Sequence, residues 1–227
     1  PGGVWFNTAP LTLASLKGKV VIIDFWTYTC INCQRTLPYL RTWYEKYSDK
    51  GLVIIGVHAP EFEFEKDEKN VGQAIEDFNL KYPIMQDNDF ATWRAYDNHY
   101  WPAKYIIDKD GLIRYTHFGE GEYDETEKII QELLEEAGAA QVSSTINNPT
   151  YSVESKTPEI YLGYGRIDSF ASNEPIPKDT LEEYSSPNNL GNNEVAYEGK
   201  WNVMEEYANP QKGAILTLNF ESKEVFL

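Results

Sequence analysis

The residues Val20-Val21-Ile22-Ile23-Asp24-Phe25-Trp26 run into two cysteines two residues apart, and this junction constrains the chain more than any other stretch. A nearly unbroken β-branched and aromatic run reads as a central strand buried on both faces. Thr27-Tyr28-Thr29 then lead to Cys30 and Cys33, after which Leu37, Leu40, Tyr44 and Tyr47 recur at helical steps until Gly51. The expected element is therefore strand, short loop and helix, with both thiols at the first helical turn.

No third cysteine exists, so a structural disulfide framework is excluded. A zinc site would need two more ligands, yet His58, His99 and His117 form no suitably spaced pair, and no metal is expected. Covalent haem attachment requires His directly after the second Cys, where Gln34 stands. Two inert buried thiols are the bland alternative. A helix N-terminus favours the thiolate, the nucleophilic form of cysteine. The spacing therefore assigns Cys30 as the sulfur that attacks a disulfide and Cys33, one turn inward, as the one that resolves the mixed disulfide. No cofactor beyond this pair is expected.

The first region continues as alternating elements. Leu52 to His58 reads as a second buried strand, Glu61 to Glu68 as a solvated acidic connection, and Asn70 to Leu80 as an amphipathic helix. A short strand at Pro83–Gln86 precedes a helix that Asp89 can cap. Ala103–Asp108 and Leu112–Phe118 flank an Asp-Lys-Asp-Gly turn, and Glu125 to Ala137 closes as a helix. This order predicts an α/β domain with a central mixed sheet over residues 1–140. Residues 141–156 read as a linker. Residues 157–227 read as a smaller all-β, sandwich-like domain with strands at Glu159–Tyr164, Glu194–Trp201 and Ala214–Phe220; it is short for a sandwich, ends on Val225-Phe226-Leu227, and is expected to be incomplete.

A net charge of −16 repels phosphate backbones and anionic lipid heads, so no nucleic-acid partner is expected. No stretch approaches the roughly 20 apolar residues of a spanning helix. The chain opens on Pro1 without Met and is expected to be a soluble portion of a longer protein.

Asp24-Phe25-Trp26 ahead of the cysteines, Pro38 five residues after the second, and Pro102 before the next strand resemble the thioredoxin superfamily. The helical insert between Val57 and Tyr82 is similar to its TlpA-like branch. Phe25-Trp-Thr-Tyr-Thr-Cys-Ile-Asn-Cys, His58-Ala-Pro-Glu-Phe-Glu-Phe-Glu, Asp87-Asn-Asp-Phe-Ala-Thr-Trp-Arg-Ala-Tyr and Tyr100-Trp-Pro-Ala-Lys-Tyr resemble the soluble C-terminal region of the DipZ family over about residues 18–137. Glu159-Ile-Tyr-Leu-Gly-Tyr-Gly-Arg resembles the start of that family's carbohydrate-binding-module-like second domain.

The resemblance implies a thioredoxin-like fold and a redox pair at Cys30 and Cys33. It also implies that Asp24 is a buried carboxylate that helps deprotonate Cys33 through water, and that Pro102 is a cis-proline facing the disulfide, with Trp26 and Trp101 flanking the sulfurs. It further implies protein disulfide or dithiol substrates, a CcdA-like membrane electron-transfer module as partner, an extracytoplasmic location, and work as a reductase. Three departures stand out: strand Leu52–Ala59 has no lysine to pair with Asp24, which should then be more strongly perturbed; Thr36 stands where TlpA-like proteins often carry Glu; and bulky Trp101 precedes the proline.

Two other functions compete. A peroxiredoxin-like peroxidase wants Pro-x-x-x-Thr-x-x-Cys; Thr27 and Cys30 fit, but position 23 is Ile. A glycan- or cell-wall-binding module could stack sugars on Tyr161, Tyr164, Tyr184, Tyr197 and Trp201, residues that serve equally as sandwich core. His58 reads as structural.

Overall fold

The structure, a computed structural model, describes residues 3–140, 146–149, 156–223 and 225. The chain divides into two compact units, residues 1–151 and 152–227. The expected linker falls largely outside the described residues, as do the last two residues of the apolar end.

The first unit is built on a six-stranded mixed sheet. Its strands are β1 (Trp5–Phe6), β2 (Val20–Trp26), β3 (Leu52–His58), β4 (Ile84–Gln86), β5 (Ala103–Ile107) and β6 (Ile113–Phe118), in the order β1-β4-β3-β2-β5-β6. Strands β2, β3 and β4 run parallel, whereas β5 and β6 run antiparallel on the other flank. All seven residues of β2 are buried because both faces of the sheet are covered.

Alternation along the strands sorts side chains into two cores. Val20, Ile22 and Trp26 join Leu37, Leu40, Trp43 and Tyr47 of α1 (Ile31–Tyr47), Val71 and Ile75 of α2 (Glu68–Asp77), and Ile130, Leu133 and Leu134 of α4 (Tyr123–Glu136). Val21, Ile23 and Phe25 pack on the opposite face with Ile55, Val57, Tyr105 and Ile107, and against Trp93 of the short α3 (Ala91–Ala95). The sequence expectation of Asp89 as the cap of α3 is corrected. The Asp87 carboxylate accepts the Thr92 and Trp93 amides at 3.0 and 2.7 Å, because Phe90 takes a left-handed conformation that folds the helix start back over Asp87.

The second unit is all-β: β7 (Leu181–Tyr184), β8 (Val195–Val203), β9 (Ala208–Pro210) and β10 (Ile215–Leu218) pair antiparallel. Strand β8 changes partners at Gly199 (φ 79°), pairing with β10 before it and with β7 and β9 from it onward. Tyr184, Tyr197, Trp201 and Val203 form its buried centre. The expected strand at Glu159–Tyr164 is absent. The Tyr164 and Gly165 amides instead donate to the Met204 and Glu205 carbonyls at a turn, and Gly163 lies so near residues 205–207 that a Cβ would fall 2.4 Å from their backbone.

Candidate active site

Strand β2 delivers Asp24 and Trp26 to the rim of the sheet, and the loop Thr27–Thr29 hands the chain to α1. Cys30 is the N-cap of that helix, with its Sγ accepting the Cys33 N–H at 3.2 Å. A sulfur so placed faces the unpaired amides and positive end of the helix dipole. Cys30 is half-buried, whereas Cys33 is fully buried in the core shared by α1 and β2. Burial, reinforced by the neighbouring Cys30 sulfur, holds the Cys33 thiol well above its ordinary pKa. One sulfur is thus reachable and the other is sealed, and the sealed one needs a base before it can react. Thr36, at the position of the TlpA-like glutamate, is buried and donates its hydroxyl to the Cys33 carbonyl at 2.8 Å.

Asp24 lies on the same sheet face, fully buried, with neither carboxylate oxygen hydrogen-bonded among the described residues. Burial pushes its pKa up to about 7, opposed by the positive charge of Lys104. Strand Leu52–Ala59 indeed offers Asp24 no lysine, but the expectation that Asp24 is therefore unopposed is corrected. On β3, Gly56 stands level with Asp24 and a Cβ would already lie 3.1 Å from Trp26 Nε1 and 3.2 Å from the Tyr82 ring. The cation comes from the other side, since Lys104 of β5 pairs in register with Asp24 and is fully buried. Burial lowers the Lys104 pKa, with Asp24 resisting that shift.

The Trp101–Pro102 peptide bond is cis. The register Phe25↔Ala103 brings Pro102, one step further, level with the end of β2, and Pro102 is buried. Trp26 is wholly buried in the core that contains Cys33. Trp101, half-buried, packs against that core, donates Nε1–H to the Ala59 carbonyl at 3.0 Å, and lies 4.3 Å from Trp93, ring to ring.

The acidic connection is solvent-facing as expected except at one residue. Glu65 is fully buried, accepting the Thr29 hydroxyl on one oxygen and the Glu61 and Phe62 amides on the other at 2.6 and 3.0 Å. His58, also buried, contacts the Thr27 hydroxyl at 3.3 Å and stacks on Tyr28, and burial lowers its pKa to about 4, so it is neutral near pH 7. Sequence reasoning missed Lys104 and Glu65. Parity held a signal for Lys104, since two residues along a strand from Pro102 lies the same face. Nothing local marks Glu65 among its charged neighbours.

The geometry suits sulfur exchange, and comparison with known proteins agrees on the class, a thioredoxin-like thiol–disulfide oxidoreductase. The AhpC/TSA family profile matches residues 6–116, and the profile of a thioredoxin-like C-terminal domain matches residues 157–227. The thiol-disulfide oxidoreductase YkuV of Bacillus subtilis is 31% identical over 133 residues, 58% of this chain and 88% of that one. A solved thioredoxin-like protein in its oxidised form is 31% identical, with a TM-score of 0.53 over 58% of this chain and 88% of that one. Within the class, the chain belongs to the TlpA-like branch of the thioredoxin superfamily, and is 39% identical over 231 residues to the protein DipZ of Mycobacterium tuberculosis. That similarity covers 98% of this chain but spans only 33% of DipZ's length.

Proposed function

We propose that this chain exchanges dithiols with disulfides of protein substrates through Cys30 and Cys33, working as an extracytoplasmic reductase that receives electrons from a CcdA-like membrane module. The observation that carries the residue roles is the contrast in exposure, with Cys30 half-buried on the helix N-terminus and Cys33 at 0%. The Cys30 thiolate attacks a substrate disulfide, forming a mixed disulfide and expelling one substrate thiolate, which takes up a proton. Asp24 accepts the Cys33 proton; the Cys33 thiolate attacks the Cys30 sulfur, closing the internal disulfide and releasing the second substrate thiol. The pair has then lost two electrons, which the membrane module restores. The likeness to DipZ supports that partner and the extracytoplasmic setting.

Trapping tests the roles. Cys33→Ser should accumulate mixed disulfides in extracts while Cys30→Ser should not, and equal trapping by both defeats the assignment. Titration of the pair against glutathione tests direction. A potential well above about −150 mV, near that of strong oxidants, would make the chain an oxidase. Peroxide consumption by Cys33→Ser would instead favour a peroxidase; against that reading, Ile23 is buried in the sheet and the Thr27 hydroxyl faces His58.

A glycan-binding role for the second unit has little support, because Tyr184, Tyr197 and Trp201 are buried in its core. Only Tyr161 and Tyr164 of the candidate aromatics remain partly open, under Arg166 and Lys178 respectively.

A further inference from the structure

We infer that Glu65 is a positioning residue for the attacking sulfur, acting through Thr29; this deepens the proposed function and rests on Cys30 being the attacker. The three residues between β2 and Cys30 are held from one side by the end of β3 and the connection that follows it. Thr27 faces His58, and Tyr28 stacks on His58 with ring centroids 5.6 Å apart and planes 18° from parallel. Tyr28 also donates its hydroxyl to the Phe64 carbonyl at 3.4 Å. Thr29, the residue next to Cys30, is exposed, yet its hydroxyl reaches inward to the buried Glu65 carboxylate. Gln34 completes the hold by donating to the Tyr28 carbonyl at 2.8 Å.

A carboxylate suits this place chemically. It meets three donors, the Thr29 hydroxyl and the Glu61 and Phe62 amides, and has no hydrogen of its own to turn against them. A glutamine could still accept the two amides on its oxygen and donate its NH2 to the Thr29 hydroxyl, but without the charge that strengthens the hold. Charge-assisted bonds of this kind are about twice as strong as neutral ones. The turn of residues 61–65 is thereby fixed to the loop that aims Cys30, and a nucleophile's rate depends steeply on its aim.

The experiment measures thiol–disulfide exchange with a model disulfide, and alkylation of Cys30 by iodoacetamide, in Thr29→Val, Thr29→Ser, Glu65→Gln and the double variant Thr29→Val/Glu65→Gln. Thr29→Val keeps the side-chain shape at an exposed position and removes only the hydroxyl, so its melting temperature should stay near that of the parent. Exchange should fall about tenfold to a hundredfold in Thr29→Val. It should return in Thr29→Ser, Glu65→Gln should fall less because it can keep a neutral bond to the hydroxyl, and the double variant should fall no further than Thr29→Val alone. Parent-like rates in Thr29→Val, or losses that multiply in the double variant, overturn the inference. If Cys30→Ser exchanges disulfides as the parent does, the underlying reading fails instead; if Cys30→Ser is inactive and Thr29→Val is normal, only the brace fails.

Discussion

The two units differ in what they bury. Every buried Asp, Glu, Lys or His among the described residues, namely Asp24, His58, Glu65, Asp87, Lys104, Asp108 and Glu127, belongs to the first unit. Among its described residues the second unit buries Tyr184, Val195, Ala196, Tyr197, Trp201 and Val203, and none of those four types. Burying an ionisable group costs free energy unless it is paired or changes protonation state. Shifted pKa values such as those of Asp24 and Lys104 cluster where chemistry is done. The contrast teaches that the first unit keeps ionisable groups inside, where their protonation can be tuned, while the buried centre of the second is aromatic and aliphatic, held by packing and by hydrogen bonds such as that of Tyr197 to the Leu162 carbonyl.

The largest effect that could break this contrast lies in the second unit. Trp201 is 5% exposed, stacks on Tyr197 at 4.5 Å and donates its Nε1–H to the Glu198 carbonyl at 3.1 Å. Trp201→Ala should cost about 3–5 kcal/mol in that unit's unfolding, followed by denaturant titration. The glutathione equilibrium of Cys30 and Cys33 should not move; a shifted potential would mean that the second unit takes part in the chemistry.

Asp24→Asn should sharpen the contrast from the other side. An acid whose pKa is raised by folding, from 3.8 to about 7, binds its proton more tightly in the native state. Its contribution is therefore complete below pH 3.8 and is lost as pH rises to about 7, roughly 4 kcal/mol in all. Asparagine should remove that decline, leaving the variant more stable than the parent at pH 8 in urea titrations, while the resolving step slows. A parent-like pH slope in the variant would show that Asp24 is not the group responsible. The lowered pKa of Lys104 acts in the opposite sense, adding stability as pH rises through the alkaline range toward 10.5.

Lys104→Met is a smaller change. Without the neighbouring cation the Asp24 pKa should climb further, so the pH dependence of mixed-disulfide resolution should move upward by roughly one unit. An unmoved profile would remove Lys104 from proton handling. The smallest effect is expected at Tyr161, over whose ring Arg166 sits at 3.7 Å from the centroid. Tyr161→Ala should change stability by less than about 1 kcal/mol. Measurable loss of binding on a glycan array would revive the sugar-binding reading.

The contrast also explains what could be read from the chain alone. The junction of β2, Cys30 and α1 was legible because its signals are local: a β-branched run, a pair of thiols and a helical period. Pro102 was legible from the resemblance. Glu65 was not, because it sits among charged neighbours in a connection that looks solvent-facing, and Lys104 was passed over although strand parity placed it on the face of Pro102. In the second unit the strand period misled at Glu159–Tyr164, where glycines allow a tight turn to dock against residues 204–207.

Strand β5 carries both Pro102's neighbour Ala103 and, one position on, the ammonium group that faces Asp24. Under the proposed function, a guest chain laid along the proline would lean on the same rod that bears this cation. Docking at one end of the rod and proton traffic at the buried thiol would then share one mechanical part.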